Sequence, residues 1–461
     1  MRRLPTTAVA AVVAFTACTT TAQAQEPGTD GAAPMVVGQG PPGEAGPPVT
    51  VPVEDPAGAQ VAWTVEQLNA PASPPVEAVA ARVAPDLAGA GYAEQLIAVL
   101  DTYRPSGPFT VTGYEQLAPT AATAVITSAT EELRVTVVVQ ESGLLVQWLV
   151  QPAIVVPQVD EWADLDETLE GIGADAALLG ARIGDDGCEP VHGLEADELM
   201  PVGSVFKLYV LAALSDAVQA GTASYDELLT VTDDLKSLPS GQLQDRPSGT
   251  QVSVREAATL MITISDNTAT DMLIDRLGRA AVEDAVVDLG HTEPDVLRPF
   301  PDTRELFQLA AGPQEQRTAW AEGDEAERRA LLDQLPGGPP AIDPLALFTQ
   351  PMWTDGLEWF ASPDDVCAVY DGLLERGGTD PFVLDVLAQG ASGAGLSPEE
   401  WPYVGFKGGN TPGSLTLSYL AQDSSGEDVV LVVSLTSEDP VGLLDTLGAV
   451  DLAEAGFELL S

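Results

Sequence analysis

The sequence predicts an α+β protein of two domains, a small one over residues 60–152 and a larger one over 160–461. Three observations carry that expectation. The chain has 461 residues, enough for two or three sizeable cores. Hydrophobic residues make up 45% and charged ones 19%, so most of the chain should fold. Both halves also combine helix-spaced apolar segments with strand-like runs. The formal net charge is −51, from 70 acidic and 19 basic residues. That balance excludes a nucleic-acid partner, which needs basic patches, and electrostatic docking on anionic lipid. It describes a solvated acidic surface. Only three lysines occur, Lys207, Lys236 and Lys407, so a lysine inside a motif carries weight.

Residues 1–18 read as an export signal. Arg2 and Arg3 precede an apolar run over 8–15 that is too short to cross a bilayer. The run ends in Phe15-Thr16-Ala17-Cys18, which resembles the lipobox of bacterial lipoproteins with Phe in place of the usual Leu. The expectation is an exported protein anchored through lipid on Cys18, with no other membrane contact. Cleavage after Ala22-Gln23-Ala24, giving a secreted protein, is the alternative. Residues 19–59, with Gly40-Pro41-Pro42-Gly43 and Gly46-Pro47-Pro48, read as a linker. Outside the cytoplasm Cys188 and Cys367 either pair or stay as two buried thiols.

In the small domain, helical spacing covers 61–69, 76–87 and 92–103, and Pro105–Pro108 punctuation ends it. Strand-like runs follow at 109–114, 121–127, 132–140 and 143–150, with Glu141-Ser142-Gly143 as a hairpin turn. Three helices followed by an antiparallel sheet resemble the nuclear-transport-factor-2-like and ketosteroid-isomerase-like fold. No polar constellation in the domain suggests chemistry, so it reads as a packing or spacer unit.

The larger domain opens with strand-like runs at 176–183 and 189–192. Pro201-Val202-Gly203-Ser204-Val205-Phe206-Lys207 then leads into an apolar helix. Ser204 and Lys207 stand three residues apart and share one helical face, at the end where partial positive charge favours an oxyanion. A serine beside an amine that takes its proton is what an acylatable nucleophile needs. A further helix begins near Val254 and runs into Ser265-Asp266-Asn267. An acidic helical insert is expected at 319–335. The C-terminal part reads as strands at 403–410, 415–421 and 429–435 and a closing helix at 440–459, with Lys407-Gly408-Gly409-Asn410 ending the first strand.

Ser-x-x-Lys, Ser-Asp-Asn and Lys-Gly-Gly in this order resemble the three-motif signature of class A β-lactamases and penicillin-binding proteins. With Thr303-Arg304-Glu305-Leu306-Phe307 and Pro412-Gly413, the pattern resembles two-domain exported serine hydrolases of actinobacteria. The resemblance implies a five-stranded antiparallel sheet with a helical lobe, a serine β-lactamase/transpeptidase-like fold, and a cleft between the two. It implies that Ser204 is acylated, that Lys207 takes its proton and that Ser265 relays a proton to the leaving nitrogen. Asn267 would hold Lys207 and a substrate amide, and Lys407 would face a substrate carboxylate. The N–H groups of Ser204 and Asn410 would form the oxyanion hole, with Gly408 and Gly409 on the binding strand.

Two departures stand out. Gly408 replaces the Thr or Ser usual in the third motif, and no Glu-x-x-Leu-Asn motif supplies a deacylating glutamate. Glu305 is the nearest candidate, and a first-turn helix carboxylate without catalysis is its other reading. No Gly-x-Ser-x-Gly elbow occurs, and His192 and His291 read as structural or surface residues. With no H-E-x-x-H and no cysteine knuckles, neither a metal nor a cofactor is expected. The implied partner is a β-lactam, peptide or ester. An esterase or D,D-carboxypeptidase with poor β-lactam turnover is the second reading, and a non-catalytic cell-wall-binding protein the third.

Overall fold

The computed structural model describes residues 47–85, 91–172, 174–339, 351–391, 396–438, 443 and 445–461. The signal at 1–18 with Cys18, and residues 19–46 of the expected linker, lie outside the described residues. Two compact units result, one ending at Gln158 and the other spanning Val159–Ser461.

The first unit begins earlier than the composition suggests. Val49 N already donates to Val111 O, and α1 spans Pro56–Asn69 with its proline in the first turn, where a missing N–H costs nothing. Then come α2 (Val76–Ala80) and α3 (Tyr92–Tyr103). The helix expected over 76–87 stops at Ala80, because Val83 bridges to Leu145 and Ala84 N donates to Leu145 O. That tertiary pairing overrides the local spacing, and Leu87 lies outside the described residues. Strands β1 (Thr110–Ala118), β2 (Ala121–Thr127), β3 (Glu132–Val139) and β4 (Leu145–Pro152) form an antiparallel meander in that order. Helix α1 buries Val61 and Leu68 in the same core as Leu133, Val135 and Val137. The indole of Trp148 donates to Thr64 Oγ1 at 2.7 Å, which satisfies both polar groups inside that core.

The second unit opens with α4 (Trp162–Gly171), β5 (Asp175–Gly184), β6 (Gly187–Leu194) and the short β7 (Met200–Pro201). A 3₁₀ turn over Gly203–Phe206 leads into α5 (Lys207–Gln219). Strands β8 (Leu228–Thr230) and β9 (Gln251–Ser253) pair outside the main sheet. Helices α6 (Val254–Thr263), α7 (Asn267–Leu277), α8 (Arg279–Asp288) and α9 (Thr303–Ala311) follow. The acidic insert is two helices, α10 (Gln314–Glu322) and α11 (Glu325–Leu332). It breaks at Asp324, whose side chain and that of Glu327 form a reciprocal capping box. Strand β10 (Phe360–Ala361), α12 (Pro363–Gly377), α13 (Phe382–Gly390), β11 (Tyr403–Thr411), β12 (Ser414–Gln422), β13 (Asp428–Thr436) and α14 (Thr446–Leu460) complete it.

The sheet order is β11-β12-β13-β5-β6, and every pair is antiparallel. Strands β12 and β13 are buried on both faces and so read as almost unbroken apolar runs, while edge strand β6 is half-buried to exposed. Leu179, Ala181, Val430 and Val432 join the core of the helical lobe. Leu431 faces the other way, against Gly456 of α14, and Gly180 makes room for the Trp162 ring. The helical lobe closes on the Ser204 turn. Val202 N donates to Trp359 O at 2.9 Å, β7 pairs with β10, and the Trp359 ring stacks on Phe206 at 3.8 Å.

Of the two alternatives left for the cysteines, the structure has the disulfide: Cys188 on edge strand β6 is bonded to Cys367 on α12, with Cα atoms 6.3 Å apart. A cross-link between residues so distant in sequence removes much freedom from the unfolded chain. Replacing both cysteines by serine should lower the unfolding free energy by about 2–4 kcal/mol, read by chemical denaturation. An unchanged unfolding midpoint would show that the bond contributes nothing.

Candidate active site

The site is built where two separate segments, Ser204–Lys207 and Ser265–Asn267, meet at one amine, with β11 across from them. Lys207, the first residue of α5, is wholly buried, and its Nζ lies 3.1 Å from Ser204 Oγ. The same nitrogen donates to Asn267 Oδ1 at 2.7 Å and to the Ser265 carbonyl at 2.8 Å, with Ser265 Oγ at 2.9 Å. Burial pushes its pKa well below the ordinary lysine value, and the neighbouring charge of Lys407 pushes the same way. A neutral amine has two N–H bonds, which the two carbonyl-type oxygens take. Its one lone pair then remains for one hydroxyl at a time, that of Ser204 or that of Ser265.

Each partner is held by its own local device. Ser265 has a positive φ of 55°, a left-handed conformation that costs a serine roughly 1 kcal/mol or more. It turns both the carbonyl and the hydroxyl of one residue toward Lys207. Asp266 next to it is fully buried and accepts from the backbone N–H of Gln242, Leu243 and Ala269 at 2.6, 3.0 and 2.8 Å. It thereby caps α7 and ties the 240–243 loop to it. Ser240 completes that tie: its hydroxyl donates to Ser265 O at 2.8 Å and its carbonyl accepts from Asn267 N. Asn267 Nδ2 donates to Leu238 O at 3.1 Å, so the amide holds Lys207 with one end and the loop with the other.

Strand β11 supplies the opposite wall. A methyl group on Gly409 would sit 2.0 Å from Val202 O and 2.6 Å from Ser204 N, and one on Gly203 2.8 Å from Asn410 N. Only glycines allow this approach, which packs the backbone of the Ser204 turn directly against that of Gly409 and Asn410. Lys407 is buried, and its Nζ donates to Ser265 Oγ at 3.2 Å and to Gly408 O at 2.5 Å. Burial alone lowers its pKa to about 7. Ser265 Oγ therefore touches both lysines.

Glu305 has a different setting. It is buried at the third position of α9, and its carboxylate receives Arg279 Nη2 at 2.8 and 3.0 Å. One oxygen also accepts from Asp302 N at 2.9 Å, in a capping box whose other half is Glu305 N to Asp302 Oδ1. These are the surroundings of an ion-paired helix cap. Helix α9 is docked on α7 through Asp271, which accepts from Thr303 N, Thr303 Oγ1 and Arg304 N.

Among the buried acids not legible in the sequence, Glu358 lies against the C-terminal end of β11. Glu358 accepts from Thr411 Oγ1 at 2.5 Å and from Trp359 N at 3.0 Å, and burial raises its pKa to about 7. The only signal was an acid set among apolar residues in Leu357-Glu358-Trp359-Phe360. The Thr411 hydroxyl, three residues beyond Gly408 on β11, is thus engaged by Glu358.

Residues 179–325 match the model of the β-lactamase enzyme family, and residues 52–145 match that of the ORF 12 gene product N-terminal. No curated protein matches. Among solved structures, the chain is similar to a β-lactamase from Sphaerobacter thermophilus, with 20% identity over 64% of this chain and 98% of that one and a TM-score of 0.45. A Burkholderia phymatum β-lactamase gives 17% identity over 65% and 97%, with a TM-score of 0.47. A point mutant of PBP-A, solved as an acyl-enzyme complex with penicillin G, gives 19% over 64% and 97%, with a TM-score of 0.42.

The charge of Lys407 helps keep Lys207 deprotonated, so removing it should raise the Lys207 pKa. Labelling of Ser204 by an uncharged fluorophosphonate rises with pH as Lys207 loses its proton. In Lys407→Met that rise should move to higher pH. An unmoved or lowered limb would show that Lys207 is not the group that titrates.

Proposed function

We propose, for a chain whose second unit is β-lactamase-like, that it is an exported serine hydrolase forming an acyl-enzyme at Ser204. The observation that carries this reading is the buried Lys207 amine 3.1 Å from Ser204 Oγ. Ser204 Oγ attacks the carbonyl of an amide or ester, and its proton passes to Lys207. The N–H groups of Ser204 and Asn410 receive the developing oxyanion. Ser265, in contact with both lysines, hands the proton on to the leaving nitrogen or oxygen. Water then releases the acyl group. The substrate class implied by the motifs is a β-lactam or a D-Ala-type peptide or ester.

The second reading is an esterase or D,D-carboxypeptidase with poor β-lactam turnover, and Gly408 favours it. The carboxylate of Glu305 is paired with Arg279 and caps α9, so Glu305 serves in this account as a structural residue of that helix. Lipid on Cys18 would hold the protein at the outer face of the membrane. The described residues of the first unit, with three helices and a four-stranded antiparallel sheet, fit a nuclear-transport-factor-2-like spacer.

Incubation with a fluorescent penicillin or a fluorophosphonate, read by intact-protein mass spectrometry, tests the central step. One equivalent should attach to the native chain and none to Ser204→Ala. Ser265→Ala should slow labelling by roughly 10²–10⁴, the range of a lost proton-transfer group. Full labelling of Ser204→Ala would remove the assignment.

Glu305→Gln offers a separate check. It should lower stability through the lost ion pair with Arg279 while leaving the lifetime of the acyl adduct within about threefold, because a general base would cost far more. A tenfold or longer lifetime would restore Glu305 as the deacylating base.

A further inference from the structure

Apart from the exposed Asn410 amide, the cleft edge offers little to a negatively charged substrate. Gly408 has no side chain, and a methyl group there would lie 2.8 Å from the Phe406 ring, so an aromatic edge occupies the place where a hydroxyl would reach out. The Thr411 hydroxyl is held by the buried Glu358. The hydroxyls on β12, opposite this stretch, are also engaged: Ser414 with Pro201 O, Thr416 with Ser434, and Ser418 with Lys407 O.

The supply of cations is equally short. Apart from Arg2 and Arg3, every Lys and Arg of the chain lies among the described residues. Each arginine of the second unit has a partner of its own. Most have carboxylates, as Arg279 has Glu305, Arg276 has Glu227 and Arg304 has Asp302. Arg255 lies over the rings of Tyr225 and Phe382, and Arg328 over Trp320. Lys236 pairs with Asp233.

That leaves Lys207 and Lys407 to face an anion. Lys207 has the Ser204 proton to take. Lys407 is already engaged as a donor to Ser265 Oγ and Gly408 O, and burial lowers its pKa to about 7, which weakens its hold on a positive charge. Around them lies a chain of net charge −51, whose field repels anions.

We infer that the Ser204 site takes a neutral acyl donor, an ester or amide with no carboxylate beside the scissile bond, and selects against carboxylate-bearing ones. This rests on the reading of Ser204 as an acylated nucleophile; within it the esterase alternative is favoured, and β-lactams and D-Ala-type peptides, whose carboxylate lies beside the scissile bond, become slow acylating agents. With an ester, the Ser204 Oγ–acyl bond forms as the bond to the leaving alcohol breaks. The serine proton travels through Lys207 and Ser265 to the departing oxygen, and water releases the carboxylic acid.

A matched pair of aryl esters tests this on the native protein: methyl 3-acetoxybenzoate and 3-acetoxybenzoic acid, which differ only in a carboxylate on the leaving group. Rates are normalised to hydroxide hydrolysis and corrected with Ser204→Ala. The methyl ester should show at least tenfold higher kcat/KM, and the gap should narrow as added salt screens the chain's field. Ser204-dependent hydrolysis of the acid as fast as its ester, or faster, would overturn the inference and leave the nucleophile assignment standing. Hydrolysis that survives Ser204→Ala, or none of either ester, would sink both.

Discussion

One buried amine sets the terms for the second unit. Leaving the Lys207 charge in place at full burial would cost several kcal/mol without a carboxylate to pair with. The four oxygens around it are two hydroxyls, one carbonyl and one amide oxygen. Such neutral partners satisfy a neutral amine and do not compensate an ammonium. Burial and the role of a proton acceptor therefore pull Lys207 in the same direction, toward the neutral amine, against the raising effect of Asp266 and Asp271. A second amine, Lys407, pushes in the same direction across the cleft.

Holding that arrangement accounts for much of the unusual backbone nearby. Ser265 adopts a left-handed φ, and Gly241 (φ 126°) lets the 240–243 loop pass against Asp266, where a methyl group would lie 2.4 Å from the carboxyl carbon. Asp266 supplies three charge-assisted hydrogen bonds that offset this strain. On the opposite side, Gly203 and Gly409 bring a turn and an edge strand into backbone contact. The sheet makes this wall rigid, while Trp359, stacked on Phe206 and bonded to Val202, fixes the turn from the helical lobe.

The sequence is legible where its signals are local. Ser204 with Lys207 at helical spacing, Ser265-Asp266-Asn267 after an apolar helix, and the glycines after Lys407 each announce their place by a short pattern. The fully buried strands β12 and β13 show as apolar runs and agree with the expected spans to within a residue at each end. What is not legible depends on partners remote in sequence. The helix expected over 76–87 yields to a bridge with Leu145. The start of α1 is hidden by a proline that composition assigns to a linker. The pairing of Glu305 with Arg279, 26 residues earlier, leaves no trace in the short pattern around Glu305. The Glu358–Thr411 contact spans 53 residues, and no motif announces it.

The central claim is that Lys207 is a neutral amine at physiological pH. Three lysines in the whole chain make a direct measurement practical: nitrogen-15 NMR of the lysine side chains across a pH titration. Lys236→Arg identifies the surface lysine, and Lys407→Met separates the two buried ones. The account predicts that the Lys207 resonance titrates far below the ordinary lysine value near 10.4. A Lys207 that remains an ammonium up to about pH 10, close to that ordinary value, would contradict it.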